Sequence, residues 1–237
     1  LGGLLKARMG VDLPDDVAAQ TISLPADARA ATRAVEAQRA RIEAQAAPEG
    51  EALRAYLAAE GLSGKSGVVD VGYRATIQQG LQKVAGHGLA GFYFGTFPEA
   101  AAVEAPQADG SSGSAFGYFG DRVDPRGHEP IVEQAILFEA FLTAPHGQLD
   151  RFAPTDGGGV EPQFLETSRT SDEIETLEQM HAGALAYARD LLAAYGPQIV
   201  GLDFNPAVAL EPLIAFSEGR LTAPGAVLKA LRVDDAF

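Results

Sequence analysis

The sequence predicts an α/β fold: a small, mostly parallel sheet with a βαβ core at residues 67–95 and helical N-terminal and C-terminal flanks. Two observations carry this. The apolar pair Val68-Val69 ends at Asp70, passes through Gly72, and is followed by Ile77, Leu81 and Val84 at helical spacing. Gly86-His87-Gly88 then stops that helix, and Leu89–Gly95 follows as an aromatic-rich strand. Strand, helix and strand within about 30 residues form a crossover unit whose strands run parallel.

The N-terminal flank spans 1–60. Residues 1–25 show no strong period and are punctuated by Pro14 and Pro25. Asp27 is a candidate N-cap for a helix over 28–47, in which Val35 and Ile42 are the only sizeable apolar anchors. After Pro48, a second helix to Glu60 carries Leu53, Tyr56 and Leu57 on one face, and Gly61–Ser66 turns the chain into the first strand. The chain starts without Met on what reads as mid-protein sequence, so a fragment of something longer is expected.

The core spans 61–170. Within it, 96–114 is rich in Pro, Ala, Gly and Ser and reads as a mobile surface loop. Ala115–Gly120 is a further strand, followed by a charged turn through Asp121, Arg122, Asp124 and Arg126. Ile131–Leu142 is helical and nearly all apolar, broken by Thr143-Ala-Pro-His-Gly147, and 149–166 reads as a hairpin around Asp156–Gly159. The C-terminal region, 171–237, is helical: Ser171–Tyr195 carries Leu177, Ala184, Ala188, Leu191 and Tyr195 on one stripe, and shorter helices cover Pro206–Gly219 and Pro224–Leu231. The three segments are expected to pack as a single compact domain.

With 237 residues the chain can bury a core without staples, and with no cysteine it has neither disulfides nor thiolate metal sites. A formal net charge of −14 argues against nucleic-acid or acidic-membrane partners, which need clustered Lys and Arg. No apolar run approaches the roughly 20 residues of a transmembrane segment, so a soluble product is expected.

Gly64-Lys65-Ser66 fails as a phosphate loop, because Ala59 stands where that motif needs glycine and the segment precedes a strand instead of following one. Asp70-Val-Gly-Tyr-Arg-Ala-Thr-Ile-Gln78 is a better candidate. Gly72 would let the backbone approach a phosphate, Thr76 and the helix-start N–H groups would donate to it, and Arg74 would neutralise it. Asp70 would accept ribose hydroxyls or hold a cation. The competing reading is an ordinary strand-to-helix turn with Asp70 as cap, and spacing alone leaves the two level. The acidic total does not decide between them. Distant carboxylates are screened beyond ~8 Å, whereas one guanidinium at ~4 Å is worth ~4 kcal/mol at an effective dielectric of about 20.

Glu139 interrupts an apolar helix, where an unpaired carboxylate would cost several kcal/mol. Its partner is Arg74 or a backbone N–H cluster on the structural reading, and a ligand or catalytic proton on the other. His146 follows that helix directly, which makes a general-base or phosphate-contacting role geometrically available. His181 falls on the apolar stripe of its helix as a hydrogen-bonded core residue, whereas His87 and His128 are expected to be exposed. The four histidines carry no metal-binding spacing.

Three blocks carry a family resemblance: Val68–Gln78, Gly91–Gly95 and Phe138–Gly147. Together they resemble the region that follows a haloacid-dehalogenase-type phosphatase domain in bacterial capsule and O-antigen proteins. Similarity spans about residues 50–237 and extends weakly to 178–183 and the terminal Asp-Asp-Ala-Phe. Members resemble glycan phosphoribosyltransferases, which move 5-phosphoribose from phosphoribosyl pyrophosphate onto a growing polysaccharide before the phosphatase domain removes the 5-phosphate to leave ribofuranose. The fold of that transferase domain is distant from ordinary phosphoribosyltransferases. Two features depart from the pattern: Ala75 replaces the second loop glycine, and no Asp-x-Asp phosphatase pair lies near the N-terminus.

The resemblance implies a cytoplasmic transferase of polysaccharide biosynthesis, with Asp70, Glu139 and His146 as catalytic candidates. It implies donor contacts at Gly72, Tyr73, Arg74, Thr76 and Gln78, Mg²⁺ held through Asp70, a glycan acceptor, and a phosphatase domain attached or supplied by a partner. Alternatives are a non-catalytic glycan- or nucleotide-binding module and a nucleotide-sugar glycosyltransferase.

Overall fold

The structure, a computed structural model, describes residues 2, 3, 6, 12–23, 25–62, 64–202 and 204–231. The terminal Asp-Asp-Ala-Phe block lies outside them. The chain divides into two compact units, Leu1–Tyr56 with Phe152–Glu161, and Leu57–Arg151 with Pro162–Phe237. This differs from the single domain and the three sequential segments that the sequence suggests. The N-terminal helices, α1 (Ala28–Ala37) and α2 (Arg39–Ala59), bury none of their residues.

The helix boundaries in the first unit also depart from expectation. The break falls at Gln38 (φ −102, ψ 6), and α2 runs through Pro48 although a proline there removes the N–H that would reach Ala44. Asp27 does not cap α1; its carboxylate accepts from the Ser23 N–H at 2.9 Å. Tyr56 and Phe152 pack with ring centroids 4.9 Å apart. Phe152 belongs to the hairpin of Leu149–Pro154 and Val160–Phe164, whose turn closes through Thr155 and Gly159 as the glycine run predicts.

The second unit holds a three-stranded, wholly parallel sheet in the order β1 (Gly67–Asp70), β2 (Ala90–Gly95), β3 (Ser114–Gly120). Val69, Phe92 and Phe116 form one row across the strands, and Asp70, Tyr93 and Gly117 the next. Successive rows face opposite sides of the sheet.

α3 (Thr76–Ala85) crosses from β1 to β2 and ends at Gly86 in the left-handed conformation (φ 78). It is rotated away from its apparent apolar face. Ile77 is 64% exposed, while Gln78 and Gln82 are each 1% exposed against the sheet. The glutamines are buried because they satisfy backbone groups at the strand starts. Gln78 Nε2 donates to Leu89 O (2.8 Å) and Ser114 O (3.1 Å), and Tyr93 Oη donates to Gln78 Oε1 (2.7 Å). Gln82 Oε1 accepts from the Leu89 N–H (3.1 Å) and from Gln78 Nε2 (3.2 Å), and Gln82 Nε2 donates to Val103 O (3.0 Å). Room for these amides comes from Gly91 and Gly113, where a Cβ would collide with Gln78 Oε1 and Gln82 Oε1.

The segment expected as a mobile loop is built. Pro98–Glu104 is a 3₁₀ helix that buries Ala100 and Val103 in a cluster with Ala75 and Tyr93. Gln107–Gly113 is tied down through Gln107, Asp109 and Gly113, whose N–H groups reach Ser111 O, Gly86 O and Val103 O.

α4 (Pro130–Glu133), whose Ile131 packs beside Gly95 and Tyr73, and α5 (Ala135–Leu142) are separated at Gln134, and on the sheet face opposite Tyr93 Phe138 packs on Phe94 at 4.9 Å and on Phe119 at 5.8 Å. α6 (Ser171–Tyr195) opens with a reciprocal capping box between Thr170 and Glu173. It buries Leu177, but the stripe predicted to continue through Ala184, Ala188 and Tyr195 is exposed. α7 (Pro206–Ser217) is capped by the Asn205 side chain, which accepts from the Ala207 N–H at 2.9 Å, and α8 (Gly225–Ala230) packs against α6.

The rotation of α3 is directly testable. Gln78→Leu should lower the unfolding free energy by about 2–4 kcal/mol, because it strands several buried polar partners. Ile77→Ala should fall within about 0.5 kcal/mol of the parent. Urea midpoints read both, and the opposite ranking would refute the rotation.

Candidate functional site

Asp70 ends β1 and Thr76 begins α3, and the five residues between them form the loop at the carboxyl end of the sheet. Parallel α/β sheets bind ligands at such ends, where a helix start presents unpaired N–H groups. No side chain caps α3, so its first N–H groups are left to solvent or a ligand. The loop, together with Phe97 and Glu139, lines a cleft of about 240 Å³.

Asp70 is fixed locally: its Oδ1 accepts from the Gly72 N–H at 2.9 Å. Gly72 is not in a left-handed conformation. A Cβ there would lie 3.4 Å from Asp70 Oδ1 and 3.6 Å from Oδ2, so the glycine's effect is to leave that carboxylate uncovered. Arg74 is 61% exposed and pairs with Glu99 at 3.9 Å. That differs from the Arg74 partnership suggested for Glu139. Glu139 instead approaches Tyr73, and its charge is the second cause, after burial, that pushes the Tyr73 phenol up from its ordinary value.

Ala75 resolves the departure noted in the sequence. Its backbone is left-handed (φ 55, ψ 28), the conformation for which glycine is the default and which costs other residues about 1–2 kcal/mol. The residue is only 1% exposed, with its methyl packed beside Tyr93, Ala100 and Val103. Core packing compensates the strain, and the methyl is directed away from solvent.

Two candidate donor contacts are structural. Tyr73 is buried, stacks on Phe97 with centroids 5.0 Å apart, and donates its hydroxyl to Ile131 O at 3.1 Å. Its ring edge lines the cleft, but its hydroxyl is committed. Gln78 sits beneath α3, and its amide serves the strands. A residue one turn into a helix lies on the cleft or under it according to rotation alone, which explains why the motif spacing misplaces it.

His146 does not join the cleft lining. Its ring lies against Phe164 with centroids 3.9 Å apart, and its Nδ1 is 2.8 Å from Gly147 O. The proline-containing break after α5 turns it away from the β1 end. His181 behaves as expected, with Nε2 3.0 Å from Phe141 O, and His128 is exposed beside Glu133. His87 does not: it is half-buried, with Nε2 fully covered and unpartnered. Phe97 and Glu99 were missed because both lie in the stretch whose Pro/Ala composition reads as loop; the aromatic at 97 beside Thr96 was the one available signal.

The cleft therefore unites Asp70, Gly72, Arg74, Thr76 and Glu139, with the Tyr73 and Phe97 rings as its wall. Chemically the cleft brings together an uncapped helix start, one exposed guanidinium and two carboxylates. Among the described residues, no group of three or more His, Asp or Glu side chains is arranged to hold a metal. Two carboxylates suit Mg²⁺, which usually binds through one or two of them plus substrate phosphates and water. No helix among the described residues is long and apolar enough to cross a membrane.

The fold is a small parallel α/β unit with a cleft at the carboxyl end of its first strand. Compared with known proteins, the chain matches no family model and no curated protein.

Burial pushes up the Tyr73 and Tyr93 phenols, and the charges of Glu139 and Asp70 respectively add to it. Such phenols stay neutral in the fold after they would ionise in the unfolded chain. Their stabilisation is present below the ordinary value of 10.0 and is lost as pH rises beyond it. Tyr73→Phe should therefore flatten part of the stability loss above that pH, and cost about 1 kcal/mol at neutral pH. Urea midpoints across the alkaline range check both; an unchanged alkaline slope would show that Tyr73 is not the titrating group.

Proposed function

We propose that the chain is a glycosyltransferase domain that transfers 5-phosphoribose from phosphoribosyl pyrophosphate to a polysaccharide acceptor. The observation that carries the reading is the meeting of Arg74, Thr76 and the uncapped start of α3 with Asp70 and Glu139 in one cleft. A pyrophosphate leaving group needs N–H donors and positive charge where its own charge develops, and an acceptor hydroxyl needs a base.

In this reading the acceptor oxygen bonds to the anomeric carbon as the bond from that carbon to the pyrophosphate oxygen breaks. The acceptor proton passes to Glu139, and pyrophosphate departs with its charge met by Arg74 and the helix-start N–H groups. Asp70 orients the ribose hydroxyls and would hold Mg²⁺, whose chemistry is to neutralise the leaving phosphates. His146 has no part in the step. The later removal of the 5-phosphate belongs to a phosphatase, attached or separate, and the setting is the cytoplasm, where phosphorylated sugar donors are made.

Cleft size favours this donor over a nucleotide-sugar. At about 240 Å³ the cleft lies below the ~300–1,000 Å³ of typical ligand pockets and leaves little space to stack a base beside a sugar diphosphate. A non-catalytic binding module would share the cleft but not the need for Glu139.

Calorimetry with phosphoribosyl pyrophosphate and Mg²⁺ tests the reading. Arg74→Ala should weaken binding about 10- to 100-fold, the worth of a charge-assisted hydrogen bond, and Lys65→Ala should leave it unchanged. Glu139→Gln should keep binding and abolish transfer. No heat from the donor, together with no effect of Asp70→Ala, would end the proposal.

A further inference from the structure

The three-stranded sheet is wholly parallel, and sheets of that kind occur with both faces covered. Here α3 and the 3₁₀ helix cover the face that carries Gly91 and Tyr93. On the opposite face Phe138 covers Phe94 and Phe119, and the row that precedes them is open. Val69 in that row is 84% exposed, and the rings of Phe92 and Phe116, stacked with centroids 5.9 Å apart, are each half-exposed.

The apolar surface continues beyond the edge strand. Tyr118, two residues after Phe116 on the same side of β3, donates its hydroxyl to Phe204 O at 2.6 Å and so joins the sheet to a groove of about 680 Å³ lined from α6 and α7. Tyr187 and Val208 stand largely exposed in it. Among the described residues, no Asp, Glu, Lys or Arg lines the groove.

Area and chemistry point to one occupant. A fully bared aromatic side chain presents about 150–250 Å², so Val69, Phe92, Phe116, Tyr118, Tyr187, Phe204 and Val208, at the exposures they have, present on the order of 800 Å² together. That exceeds the ~300–600 Å² of the largest apolar patch on a typical monomer. It matches the ~800 Å² that each partner contributes to a stable interface of standard size. An isologous contact sets a patch against its own copy, so the patch must complement itself. An uncharged aromatic and aliphatic surface does, whereas the excess of 32 Asp and Glu over 18 Lys and Arg sets like charges against each other elsewhere on two approaching copies. A basic peptide would need carboxylates here and an anionic membrane would need cations, and the groove lining offers neither.

We propose that this face is a homodimer interface, in which the Val69–Phe92–Phe116 row and the Tyr118 groove pack against the same surface of a second copy. The inference does not rest on the donor cleft.

Sedimentation velocity on the full chain tests it, over a dilution series that brackets the roughly micromolar upper limit of dissociation constants for interfaces of this size. A particle of twice the chain mass should appear at the concentrated end. Val69→Asp and Tyr187→Asp should each weaken it more than tenfold, because the twofold axis brings every introduced charge to the interface twice. Tyr187 lies on the surface of α6, so its variant leaves the strands untouched, and an unchanged urea midpoint checks that the monomer is intact. Ile77→Asp is the control: the side chain is apolar and exposed but lies on the α3 side of the sheet, and the dimer should persist. A monomer at every concentration overturns the proposal, including one that takes up dodecanoate in the groove. So does a dimer indifferent to Val69→Asp or to Tyr187→Asp, or one that Ile77→Asp dissociates as readily.

Discussion

The second unit depends on a buried pair of amides. Parallel strands of four to seven residues begin and end with backbone groups that the sheet itself does not pair, and water cannot reach those beneath α3. Gln78 and Gln82 meet that need. Two side chains on successive turns of one helix bind three segments, at Leu89, Val103 and Ser114, and the phenol of Tyr93 closes the network. The arrangement is demanding in both directions. Half-satisfied, it would leave polar atoms in a dry interior; fully satisfied, it allows one rotation of α3 and one position for each loop.

That rotation creates the carboxyl-end cleft. With Gln78 turned under the helix, Thr76 and Ile77 are directed outward and the start of α3 opens on solvent beside Asp70. The cost is taken at Ala75, which adopts a left-handed backbone so that the chain can leave β1 and enter the helix at the required angle. Its methyl then joins Val103 and Ala100, so the 3₁₀ helix that carries Glu99 to Arg74 is held by the same residue that bears the strain. Loop geometry, core packing and the placement of the one guanidinium are coupled through a single alanine.

Much of the architecture was legible because it is local. The spacing from Val68 to Gly95 gave the crossover unit, the glycine run gave the hairpin, and Ser171–Tyr195 was bounded to the residue. What the sequence hid required tertiary partners. Apolar periodicity pointed to Ile77, yet the buried face is polar, since glutamine burial is favourable only where loop carbonyls converge. Composition marked 96–114 as loose, yet alanine and valine at 100 and 103 suffice to anchor a 3₁₀ turn when a left-handed alanine packs on them. Within the candidate site, Asp70, Gly72, Arg74 and Thr76 were readable from one strand-to-helix turn, and Glu139 from its isolation in an apolar helix. His146 was not, because six residues, one of them Pro145, separate it from Glu139, and direction after a helix break is not encoded locally.

The two ends of the sheet differ in chemistry for a reason rooted in parallel topology. At the carboxyl ends the strands deliver side chains into helix starts, and the positive end of α3 favours anions there even in an acidic chain. At the amino ends the Gly86–Gly88 stop and the serine turn present hydroxyls and backbone groups, with Lys65 and Asp109 beside them, above an aromatic face. Gln78 and Gln82 tie α3 to the starts of β2 and β3 and to Val103 O, so the helix whose first residues face Asp70 is also the one that fixes the amino-end strand starts. The shortest physical path between the ends is that one helix of ten residues, and the amides fix it in place.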